Sequence, residues 1–171
     1  MTGLVKVSPL RYAAGAVAAP LAVALQGTLI ARLPLPGGGP NLVLVFVVGV
    51  ALAAGATAGM AAGFGAGMLA DLLSAHPVGV LALCFALVGF MVGLLDTSSE
   101  RSIFWPVVVT ALAAAGSYLA YAAVMSLLRS GSTSSTLGVL PETVLYDVML
   151  TPFVVPVIAV VARRLDVEAR R

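Results

Sequence analysis

Residues 59–95 read GMAAGFGAGMLADLLSAHPVGVLALCFALVGFMVGLL, and this run decides what kind of protein the chain is. It is almost wholly apolar, yet it carries Asp71 and the only histidine, His76. Glycines stand at Gly55, Gly59, Gly63 and Gly67, and the next step of four lands on Asp71. Small residues every four positions let helix backbones approach closely where lipid replaces water and no hydrophobic effect drives helices together. A carboxylate in such a run is costly unless something satisfies it. The stretch reads as a close-packed membrane helix bearing one acid, joined by a tight turn to a second membrane helix that carries Gly89 and Gly93.

Composition extends this to the whole chain. Of 171 residues, 61% are hydrophobic and 9% charged, and the mean hydropathy is +1.12. Soluble domains average about 25% charged residues, so a fold of this size in water could not hide this much apolar surface. The expectation is an all-α, polytopic integral membrane protein. The net charge of +2 is no nucleic-acid signature, because the basic residues gather at the two ends: Lys6 and Arg11, then Arg163, Arg164, Arg170 and Arg171. Cys84, the one cysteine, lies inside an apolar span and can form no intramolecular disulfide.

Turn chemistry divides the chain into six spans, at about 12–31, 41–56, 58–75, 77–95, 104–128 and 142–162, in a single domain with a basic tail at 163–171. Residues 32–40 (RLPLPGGGP) cannot continue a helix. The uncharged run 42–70 would measure about 43 Å as one helix, beyond a hydrocarbon core of about 30 Å, so a break is expected near 55–58. The glycine stripe agrees: steps of four overshoot a helical turn by about 40°, so 55 to 71 cannot share one face of a straight helix. Pro77 suits a first helical position. Pro20, Pro152 and Pro156 predict bends. Six spans put both termini on one side, with the basic ends and Arg101 inside and only Arg32 and Arg129 outside. That asymmetry gives the N-in/C-in orientation.

In this topology the polar membrane residues fall at the outer pole: Gln26, Arg32, Asp71, His76, Arg129 and Asp147. A polar cluster is expected there in which Arg32 or Arg129 neutralises Asp71 or Asp147. Two readings stand for each acid. Asp71 either hydrogen-bonds the turn at 74–78 and sets how two helices meet, or meets a ligand or partner. Asp147, beside Tyr146, divides the same way. His76 is a cap or surface residue, or a member of the cluster. Gly55, Gly59, Gly63, Gly67, Gly89 and Gly93 are helix-packing faces, available within the chain or to a partner. Tyr118 and Tyr121 lie at a helix interface or line a cavity.

Enzyme signatures are missing. The sequence has no HExxH and no GxSxG, and one histidine with one cysteine cannot assemble a metal site. Gly63-x-Gly65-x-Gly67 lacks the preceding strand of a dinucleotide fold. No cofactor is expected.

The order of motifs resembles the rod shape-determining protein MreD family. The resemblance lies in the Gly-rich helix running from Gly67 to Asp71-Leu72, then Pro77-Val78-Gly79, then Gly89-Phe90-Met91-Val92-Gly93. A second match runs from Pro141 through Tyr146-Asp147 to Thr151-Pro152-Phe153 and the basic tail; the family often has Asn where this chain has Asp147. The resemblance implies a non-enzymatic subunit of the lateral wall-synthesis (elongation) machinery in the bacterial cytoplasmic membrane. Its implied partners are MreC, and more widely MreB, RodA, a class B penicillin-binding protein and membrane lipid, with no nucleic acid. The family is also similar in fold to the substrate-binding subunits of energy-coupling-factor vitamin transporters. This supplies the competing expectation, a small-molecule binder with an outer cavity lined by Gln26, Asp71, Tyr118 and Asp147.

Overall fold

The computed structural model describes residues 9–35, 39–74, 77–95, 104–128, 138 and 140–168. Six α-helices account for most of them: α1 (Pro9–Thr28), α2 (Leu42–Ala54), α3 (Ala56–Leu72), α4 (Val80–Leu94), α5 (Trp105–Leu127) and α6 (Leu140–Glu168), with a short 3-10 turn at Ile30–Arg32 after α1. The chain is all-α among the described residues.

Helix α2 is the centre. It is the most uniformly aliphatic stretch, and Leu44, Val45, Val47, Val48 and Ala51 are wholly buried. At 1.5 Å per residue its 13 residues span about 20 Å. The other helices surround it, each turning one line of side chains inward and leaving another exposed. The exposed lines are apolar: Val17 and Leu21 on α1, Phe64 on α3, Leu112 and Leu119 on α5, Met149 and Phe153 on α6. Buried inside are Asp71, Thr110, Ser117, Thr143, Asp147 and Thr151. Apolar groups outside and polar groups inside suit an apolar solvent. Trp105–Leu127 and Leu140–Leu165 are each long and apolar enough to cross a membrane.

Glycine determines the joints. Gly55 ends α2 and begins α3 with φ +86° and ψ −176°, a conformation open essentially to glycine alone. The break expected near 55–58 is this single residue. Gly79 precedes α4 at φ +99°. That left-handed residue moves the helix start to Val80, so Pro77 belongs to the turn and is not the first helical residue. Helix α1 runs through Pro20 and α6 through Pro152 and Pro156. Helix α6 also continues to Glu168, so part of the expected tail is helical, with Arg163 and Arg164 exposed.

Helices α3 and α4 pack backbone to backbone in antiparallel register. A Cβ added at Gly59 would strike the carbonyl of Gly89, one at Gly63 the carbonyl of Phe85, and one at Gly93 the backbone of Ala56. At Gly67 it would lie 2.6 Å from the Ala82 Cα. Residues four apart form a ridge inclined to the helix axis, so an obliquely crossing α4 meets Gly59, Gly63 and Gly67 in turn, while Gly55 stands off the ridge as the joint.

Candidate functional site

Asp71 closes the same ridge. Its side chain is fully buried in the last turn of α3 and faces the start of α4. Oδ2 accepts from the backbone N–H of Gly79 (2.8 Å) and of Ala82 (3.1 Å), and Oδ1 from that of Leu81 (3.2 Å). The first amides of a helix have no intrahelical acceptor, and the helix dipole makes that end attractive to negative charge. One carboxylate therefore satisfies three donors and ties two helices together. The bonds fall beyond the 74–78 turn expected from the sequence, because left-handed Gly79 directs the α4 amides at the acid. Cys84 and Tyr121 lie within electrostatic range of it.

Asp147 is equally buried, on α6, and it too faces a helix start. Its Oδ1 accepts from the backbone N–H of Asn41, the residue before α2. On the other flank of that segment, Gln26 of α1 donates from Nε2 to the Pro40 carbonyl (3.0 Å) and accepts at Oε1 from the Leu42 N–H (2.8 Å). Asn41 caps its own helix, accepting at Oδ1 from the Leu44 N–H (3.1 Å). Tyr118 of α5 hydrogen-bonds the side chains of Asn41 and Thr143. Three helices, α1, α5 and α6, thus converge on the start of α2 at residues 40–42. One atom stays unserved: Asp147 Oδ2 is buried with no hydrogen-bond partner among the described residues.

The expected single outer cluster is therefore two separate sites at one end of the bundle. Gln26 and Asp147 meet across the start of α2, whereas Asp71 is enclosed in the α3–α4 hairpin. Among the described residues the acids are held by backbone amides, and Arg32, one of the two expected partners, is exposed. His76 and Arg129 lie outside the described residues. Gly59, Gly63, Gly67, Gly89 and Gly93 are spent on packing within the chain, and Gly55 is a joint. Asn41 escaped sequence reasoning, although an Asn standing between Pro40 and an aliphatic run is a recognisable helix-start signal. Its pairing with Asp147, 106 positions away, left no local trace.

Chemically, Asp71 has its hydrogen bonds made internally, and the α2 site holds the chain's own backbone. Among the described residues no group of three or more His, Cys, Asp or Glu could hold a metal ion.

Comparison with known proteins agrees with the motif order. Neither the curated proteins nor the solved structures compared with the chain gave a match. The expected likeness to vitamin-transporter subunits thus rests on the family resemblance alone. The family model described as rod shape-determining protein MreD matches residues 20–164. That match spans α2 to α5 entire, with both acids, every packing glycine and most of α6. The chain belongs to the MreD family of bacterial, membrane-associated, shape-determining proteins.

Proposed function

We propose that this protein is a non-enzymatic scaffold of the bacterial elongation complex. It crosses the cytoplasmic membrane six times with both termini inside, and it binds MreC. Through MreC it acts with MreB, RodA and a class B penicillin-binding protein to govern lateral peptidoglycan synthesis. Its regulation is a shift in the population of assembled complexes.

The observation that carries this reading is the filling of the outer pole. Where a small-molecule binder would hold its ligand, between Gln26, Tyr118 and Asp147, residues 40–42 of the chain itself are bound. The glycine faces are likewise occupied inside the hairpin. A partner helix therefore docks on the outward lines, which include Phe64 on α3 and Met149 and Phe153 on α6.

The test is capture of the tagged protein from native membranes in mild detergent, with mass spectrometry of what accompanies it. Recovery of MreC with the elongation proteins is the expected result. Recovery of a membrane coupling protein with paired ATPases would refute it and reassign the pole to transport. Cysteine substitutions in the connections, labelled from either side of the membrane, test the six-span orientation separately.

A further inference from the structure

The two helix starts at this end of the bundle are held by unequal devices. At α4, Asp71 uses both oxygens on three amides, and the hairpin behind it is locked by backbone contact at Gly59, Gly63 and Gly67. At α2, Asp147 uses one oxygen on one amide, and its other oxygen is buried with no hydrogen-bond partner among the described residues. The remaining bonds come from Gln26, on a helix packed far more lightly. Helix α1 leans on the bundle through Ala19, Ala22 and Val23, while Val17, Leu21 and Leu25 are exposed, and neither Gly15 nor Gly27 approaches a neighbour.

Opening therefore has opposite consequences at the two places. Separating α4 from Asp71 would forfeit three hydrogen bonds and a backbone interface. Separating α1 from residues 40–42 forfeits the two Gln26 bonds, and water reaching the pole can serve the groups so released and also Asp147 Oδ2. A buried acceptor without a partner destabilises the closed arrangement only.

We propose that α1 and the start of α2 form a latch, closed by Gln26 and biased toward opening by the unserved Asp147 oxygen, that opens while the α3–α4 hairpin stays shut. Opening uncovers the first amides of α2, the Pro40 carbonyl and the Asp147 carboxylate together. The latch is a property of the fold and does not depend on which partner the protein binds.

Hydrogen exchange on the full chain in lipid nanodiscs tests this directly, because the two sets of amides lie at the same end of the bundle. Protection at residues 41–44 is expected to be at least about tenfold below that at 79–82, as local opening units of different stability require. Gln26→Leu, which keeps the volume and removes both bonds, is expected to speed exchange at 41–44 about tenfold further and leave 79–82 unchanged. Gln26→Asn, whose amide is too short to reach both groups, should act in the same direction. Equal protection at the two helix starts in the unmodified protein would overturn the latch. So would either variant raising both sets together, or neither variant altering 41–44.

Discussion

Replacing Gly67 by alanine tests the backbone lock and the Asp71 staple in one experiment. The new methyl carbon would sit 2.6 Å from the Ala82 Cα and 2.7 Å from the Leu81 carbonyl, where ordinary contact begins at 3.4 Å. Helix α4 must therefore withdraw by about 0.8 Å, and both close atoms are backbone, so no side-chain rotation relieves them. The same withdrawal stretches the 3.1 Å and 3.2 Å bonds from Ala82 and Leu81 to Asp71 beyond hydrogen-bond range. Overpacking of this kind costs about 1–3 kcal/mol, and each of the two lost hydrogen bonds leaves a buried group unsatisfied at about 1–3 kcal/mol. Alanine's better helix propensity returns about 1 kcal/mol. A net loss of at least about 2 kcal/mol is expected, read by reversible unfolding in mixed micelles titrated with a denaturing detergent. Gly65→Ala is the internal control: the same helix and the same chemical change, with nothing within 4 Å of the added carbon. It should be neutral or stabilising by up to about 1 kcal/mol. If the two variants unfold within about 0.5 kcal/mol of each other, the tight register of α3 and α4 described above is wrong.

Three further outcomes follow from the same geometry and the same titration. Gly55→Ala should lose about 1–3 kcal/mol although its Cβ would enter open space, because its backbone conformation is reserved for glycine; a purely steric account would expect no loss. Asp71→Asn turns one acceptor into a donor facing the α4 amides, and should cost about 2–4 kcal/mol. Asp147→Asn keeps the acceptor used by Asn41 and gives up an oxygen that had no donor, so its change should stay below about 1 kcal/mol. Equal losses for the two Asp→Asn variants would contradict the difference between the sites.

Much of this was legible along the chain because its causes are local. The glycine ridge, the joint at Gly55 and the acid one step beyond Gly67 all follow from spacing within one or two helices. The start of α4 was less legible: Pro77 offered a plausible first turn, and only the left-handed backbone at Gly79 moves it to Val80. The polar end of the bundle was legible in its members but not in their partners. Gln26, Asp71 and Asp147 all fall at one end, as hydropathy and topology implied. Which backbone amide meets each carboxylate depends on how six helices pack, and the Asn41–Asp147 bond joins positions with no periodic relation. Electrostatic intuition favoured an arginine for a buried acid; among the described residues the helix starts supply the donors.

The staple at Asp71 has a consequence for biogenesis. On the six-span reading, α3 is synthesised with an acid whose donors, the amides of residues 79–82, follow it in the chain. Until they emerge, lipid offers that carboxylate nothing, and the glycine face of α3 has no backbone to meet. Helix α3 alone is a poor insertion substrate, whereas α3 and α4 together are a good one. On that reading the pair enters the bilayer as a hairpin, and a chain truncated between Leu72 and Gly79 is expected to stall at that step.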